Sequence, residues 1–313
     1  MQIIAKRKVA DTARVLMVIS ITLLVYGIIL NVSTIWGLID TPKKGIPEVV
    51  NSNNNLISIT HLDEEEVEED VSNSRKTGND TIAITGENNM LRSEIEKEFS
   101  VTVKYGSETE GYSVGGVSTV PITDPSLANR RLNDLYNTLS LYPIGLFKEI
   151  KDGGIPLTIM LVNNYSEYGV TGVTDSSYDY AVISIAAVYD FKESFYHESY
   201  HYIERYMFKK KANFNSWDSL NPNDFEWDTI DGSLSYSNTF NSESYFVNNY
   251  AQTSAAEDRA STFEYMMAST KASCLNKNTN IWYKATYMAL TMEAVFDTVS
   301  PDSVEYWERY IKD

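Results

Sequence analysis

The sequence predicts an α+β fold, mainly helical, with a small sheet beside one long helix, and it sets a membrane-spanning helix and an acidic spacer ahead of that domain. Three observations carry the prediction. A charge-free apolar stretch lies near the N-terminus, polar low-complexity sequence follows it, and the rest of the chain combines two short strand-like runs with several stretches of helical periodicity.

Residues 1–14 read as a cytoplasmic N-terminus and residues 15–39 as a transmembrane anchor. The 25 residues between Arg14 and Asp40 carry no charge, and they include the dense runs 15–19 and 23–30, enough for a helix to cross a bilayer. Lys6, Arg7, Lys8 and Arg14 precede the stretch, whereas only Lys43 and Lys44 follow closely, so the positive-inside bias keeps the N-terminus in the cytoplasm. Everything after residue 40 is then extracellular, held by a single pass through the cell membrane. A cleaved signal peptide is the competing reading, but no clear small-x-small site follows and the stretch exceeds a usual signal core. The single cysteine, Cys274, is far from any lipidation position and excludes an intramolecular disulfide framework.

Residues 40–120 read as a polar acidic spacer. Residues 51–55 are nearly all asparagine, seven of the eight residues from Asp63 to Asp70 are acidic, and Gly, Ser, Thr and Asn dominate onward to Gly116. Such sequence has little with which to build a core. Within it, 81–103 alternates weakly and predicts a small ordered element, a strand pair or a propeptide-like one. The net charge of −17 gives no support to nucleic-acid binding or to docking on anionic lipid.

Residues 121–313 read as the folded domain. Asp124-Pro125-Ser126 predicts a helix start, and Leu127, Leu132, Leu135 and Leu139 recur at helical spacing behind it. Gly153-Gly154 marks a turn into the apolar run 156–162, and 180–187 alternates in strand-like fashion. A helix rich in aromatic residues follows, and Trp282, Ala285, Ala289, Met292 and Val295 predict another within 281–296.

The first of these two helices carries His197-Glu198-Ser199-Tyr200-His201, which uses two of only three histidines in the chain. A spacing of four puts both imidazoles on one face of a helix, one turn apart, where they can hold one metal ion from the same side. Glu198 lies one position round from the first histidine, placed to act as a general base towards water at the metal. Chance alone can produce two polar residues flanking an acid on a solvated face. Here Phe195, Tyr196, Tyr200, Tyr202, Ile203 and Tyr206 surround the motif, as expected of a helix in a domain interior.

Two histidines leave zinc incomplete, so the chain must supply a third ligand. An extended motif with a third histidine is absent, since Glu204 and Met207 stand where its glycine and histidine would be, and His61 lies in the acidic spacer. Glu204 is one turn beyond His201, but three ligands along one straight helix crowd the ion, so it reads as a supporting or surface residue. Glu257 opens a helical stretch continuing through Phe263, Met266 and Met267, and it is the expected third ligand. The competing reading is an exposed carboxylate favoured by the helix dipole.

The segments Phe195–His201 and Tyr250–Asp258 resemble the motifs of the gluzincin metallopeptidases, and among them the lethal-factor-like and Pro-Pro endopeptidase-like catalytic domains. The resemblance covers about residue 139 to the C-terminus and implies a zincin-like catalytic fold. It implies zinc held by His197, His201 and Glu257, with Glu198 as general base and Tyr250, seven residues before Glu257, stabilising the oxyanion. It also implies a substrate strand lying against the edge strand before the active helix, expected at 180–187. Relatives often carry an acid after the alanine of the second motif, where this chain has Ala260-Ser261, which leaves Asp258 or Glu264 to support the ligands.

The polar stretch from Lys209 to Asn249, carrying Trp217, Phe225, Trp227, Tyr236, Phe240, Tyr245 and Phe246, is long enough to rim or cover a site, or to be tacked to the core by those rings. Cys274 has no histidine left to activate it as a nucleophile. A di-iron centre needs a second Glu-x-x-His and finds none. The expectation is therefore a membrane-anchored extracellular zinc metalloendopeptidase acting on protein or peptide substrates. Its rival is an inactive membrane-tethered binding or adhesion module on the same scaffold.

Overall fold

The computed structural model describes residues 56–61, 86–177, 179–227, 244–268 and 275–312, all within the unit Pro47–Asp313. Among these residues no helix is long and apolar enough to cross a membrane. The cytoplasmic segment 1–14, the anchor 15–39, the acidic run 63–70 and Cys274 lie outside the described residues.

Among the described residues the architecture is mixed α+β around a seven-stranded sheet, larger than the small sheet expected from sequence. Its strands are β1 (Leu56–His61), β2 (Thr102–Tyr105), β3 (Ser113–Val114), β4 (Val117–Pro121), β5 (Leu157–Tyr165), β6 (Val170–Ser176) and β7 (Ala181–Ala186). The order is β1-β6-β7-β5-β4-β3, with β2 pairing the first half of β5 and β4 its second half. β2, β5 and β7 run parallel, whereas β6 and β1 are antiparallel to their neighbours.

β5 explains why the apolar run 156–162 is continuous rather than alternating. Leu157, Ile159 and Leu161 join the main core, while Met160 and Val162 pack on the opposite face with Val114, Val117 and Val173. A strand buried on both faces has no solvent side on which to spend polar residues.

The helices are α1 (Gly86–Phe99), α2 (Pro125–Leu139), α3 (Leu146–Asp152), α4 (Phe191–Lys209), α5 (Ala255–Met267) and α6 (Asn280–Val295). α2 starts where Asp124 predicted, its carboxylate accepting from the Ser126 amide at 2.8 Å with Pro125 in the first turn. Gly153 is required for a different reason than turn geometry alone. A Cβ there would stand 2.3 Å from the Tyr206 ring, so the turn before β5 lies directly on α4. Trp307 is fully buried in a short 3-10 turn, Tyr306–Glu308.

Two expectations are corrected. The spacer expected over 40–120 instead holds α1, β2, β3 and most of β4, and this segment contributes Ile95, Val101, Val103, Val114 and Val117 to the buried core. Scattered single apolar residues among polar ones hid that segment, because each element buries only a few of them. The strand at 180–187 was expected at the sheet edge, but β7 is interior, flanked by β6 and β5. β6 has no counterpart among the predicted strands, although Val170-Thr171-Gly172-Val173-Thr174 is rich in β-branched residues.

Candidate metal site

α4 follows β7 after a short connection, and Asp190 caps it by accepting from the amides of Lys192 and Glu193. Its orientation is fixed by buried polar contacts as well as by packing. Tyr202 donates to the carbonyl of Ile155 at 2.9 Å, the hydroxyls of Tyr142 and Ser199 meet at 2.6 Å, and Thr174 on β6 donates to the carbonyl of Glu198. His197, Glu198 and His201 are fully buried on this helix.

α5 brings the third residue. Ser254 caps it by accepting from the Glu257 amide at 3.2 Å, which puts Glu257 in the first turn, where a Ser-x-x-Glu sequence ordinarily folds its carboxylate back onto the cap. Here the carboxylate instead reaches α4. Glu257 Oε2 lies 2.9 Å from His197 Nε2 and 3.5 Å from His201 Nε2, and the two Nε2 atoms are 3.2 Å apart. His197, His201 and Glu257 thus form a group that can hold a metal ion.

The spacing itself tests the fit. Three donors on one tetrahedral zinc with bonds of about 2.0–2.1 Å stand roughly 3.3–3.4 Å from one another. The observed 2.9, 3.2 and 3.5 Å bracket that value. Two ring nitrogens and one carboxylate oxygen also make a donor set that leaves a fourth position for another ligand.

Electrostatics ties the same atoms together. Burial pushes the His197 pKa down, but hydrogen bonding to Glu257 and Glu264 and the charges of Glu257 and Glu198 outweigh it and carry the value up to about 10. Burial pushes Glu257 up, and the charge of His201 with hydrogen bonds to both rings overcomes it, leaving this carboxyl well below its usual range. Protons and a metal ion would therefore compete for one pocket.

The surroundings sort the remaining candidates. Tyr250, in the 3-10 turn Tyr250–Gln252, places its ring centroid 5.8 Å from that of His197. Of the two acids considered as support for the ligands, Glu264 lies 3.4 Å from His197 Nδ1, on the side of the ring away from Glu257. Asp258 faces elsewhere, accepting from Lys284 Nζ and from Trp217 Nε1, both at 2.7 Å. Glu204 is fully buried and paired with Arg259 rather than on the surface or at the metal pocket.

Gly172 on β6 is the residue that sequence reasoning missed. A Cβ there would meet Glu198 Cγ at 2.8 Å and Oε1 at 3.2 Å, so the glycine makes room for the Glu198 side chain under the sheet. In the stretch between the motifs, Trp217 is buried, and Phe225, Trp227 and Phe246 pack on one another with centroids 4.6–5.9 Å apart. These rings tack their loops to the core; Tyr236 and Phe240 lie outside the described residues.

No family model, curated protein or solved structure matches this chain.

Proposed function

We propose that this chain is a membrane-anchored, outward-facing zinc metalloendopeptidase that hydrolyses peptide bonds in protein or peptide substrates at the cell surface. The observation that carries the reading is the convergence of His197 Nε2, His201 Nε2 and Glu257 Oε2 from two helices at distances suited to one tetrahedral ion. The motif resemblance to the gluzincins supports the same assignment of ligands, and the apolar stretch at 15–39 supports the anchor.

Zinc, when bound, supplies Lewis-acid polarisation to the scissile carbonyl and to water. Glu198, buried on the ligand helix and seated against Gly172, accepts a proton from the attacking water as the new C–O bond forms, then returns it to the amine nitrogen as the C–N bond breaks. Tyr250, beside His197, donates a hydrogen bond to the carbonyl oxygen as negative charge develops there. Glu264 holds the His197 ring through Nδ1, which leaves Nε2 aimed into the pocket.

Elemental mass spectrometry on the purified full chain tests the assignment, alongside Glu257→Gln and His201→Ala. One zinc per chain, lost or greatly weakened in both variants, with cleavage of a peptide library by the parent, is the expected result. Stoichiometric zinc without cleavage would favour the inactive tethered binding module. Absence of zinc from the parent, even after zinc is supplied, would overturn the metal site.

A further inference from the structure

β1 is a six-residue strand set in polar sequence, with the asparagine-rich 51–55 before it and the acidic run 63–70 after it. Its six residues pair antiparallel with β6 along its whole length, from Leu56 opposite Ser176 to His61 opposite Val170, with the register shifting between Thr60 and His61. Thr60 is paired with Gly172, the residue against which Glu198 packs. Beyond the sheet, β1 also lies against α4, the helix that carries both histidines.

β6 would otherwise be a sheet edge, presenting a row of backbone donors and acceptors directly beside the proposed base. An edge in that position takes an extended chain by strand addition, and its hydrogen bonds are to main-chain atoms common to every peptide. We propose that this chain blocks its own sheet edge, with residues 56–61 occupying the outer edge of β6 and holding it closed to extended peptides. The catalytic consequence rests on the peptidase reading, whereas the strand site does not. An occupant carried on the same chain competes at an effective concentration on the order of millimolar. The chain is then self-blocked, and a peptide reaches the site only when β1 leaves.

The experiment uses the full chain and the double variant Ile57→Pro/Ser58→Pro. Successive residues of a strand direct their amides to opposite sides, so two adjacent prolines remove at least one bond to β6. The probe is a fluorescent synthetic peptide with the sequence of residues 53–62, followed by anisotropy, with amide hydrogen exchange read at 170–176. The expected result is at least tenfold tighter peptide binding by the variant than by the parent, with β6 amides exchanging at least tenfold faster until peptide is added. Equal binding by both chains, no binding to the variant, or unchanged protection of β6 would overturn the proposal.

A second variant keeps the test sharp should the prolines unfold the domain. Ile59→Cys/Val173→Cys in a Cys274→Ser background links residues that are paired in the register. Its oxidised form should fail to bind the peptide at concentrations that occupy the parent and should recover with reductant; continued binding when oxidised would overturn the proposal. Hydrolysis measured in parallel separates the two readings. Peptide binding as expected with no cleavage by either chain sinks the peptidase and leaves the strand site, whereas cleavage with equal peptide binding by both chains sinks the strand site alone.

Discussion

α4 and α5 build two buried charged regions side by side, and the three consecutive residues Glu257, Asp258 and Arg259 divide between them. In one region, Asp258 rests on the Lys284 ammonium and Arg259 on Glu204, so each acid faces a basic side chain. Trp217 adds a hydrogen bond to Asp258, and Lys284 lies 3.9 Å over the Phe246 ring. In the other, Glu257 and Glu264 approach the rings of His197 and His201, which are cations only when protonated. The first region carries its own neutralising charge and needs nothing more. The second gathers lone pairs from nitrogen and oxygen around one point, an arrangement that a divalent cation stabilises far better than a proton shared between side chains.

The largest test of that contrast is chemical. Glu198→Gln should lower peptide hydrolysis by on the order of 10²–10⁴-fold while zinc content stays at one per chain, because the variant keeps every ligand and loses the base. Loss of zinc together with activity would show instead that Glu198 belongs to the metal's support.

Next in size is a break in the structural region. Lys284→Met leaves the buried Asp258 without its cation, and an uncompensated buried charge costs about 3–5 kcal/mol, visible as a lower denaturant midpoint. Zinc stoichiometry should be unchanged. Were zinc lost in step with stability, the two regions would be one cooperative unit and the comparison would fail.

A smaller effect is expected from Glu264→Gln. Weaker orientation of the His197 ring should reduce zinc affinity by about 10–100-fold, measured by competition with a chelating dye, with little change in unfolding of the metal-free protein. An affinity equal to the parent's would remove Glu264 from the site.

The gentlest perturbation is pH, applied to chelator-treated protein. The folded-state pKa of His197 is raised from 6.5 to about 10, so its contribution to stability is complete below about 6.5 and is lost as pH rises through about 10. Glu257 is shifted in the opposite sense, so its contribution is present above the ordinary carboxylate range and is lost only in stronger acid. The melting temperature of the metal-free protein should therefore decline on the alkaline side, and saturating zinc should suppress that decline. A decline that zinc leaves unaltered would place its cause outside this pocket.

Much of this was legible in the residues themselves. The His197 and His201 spacing fixes their common face because 3.6 residues make a turn, and Asp124 announces the start of α2 through a cap that operates within two residues. β5 was readable as an apolar run and β7 as an alternating one. Less accessible was the segment 86–121, whose core residues come singly, and the rank of β7 in the sheet, which depends on the unread β6 beside it.

By itself the sequence determined which residues could ligate and which helices would present them, since both are set by local periodicity and capping. Tertiary structure alone decided that Glu257 turns from its own helix cap to His197 while Asp258 and Arg259 turn to Lys284 and Glu204. It alone set Gly172 under Glu198 and Leu56–His61 along β6. The physical reason is that three neighbouring charged residues look alike along the chain. Only the partners packed around each buried charge determine whether it closes a salt bridge or opens a metal site.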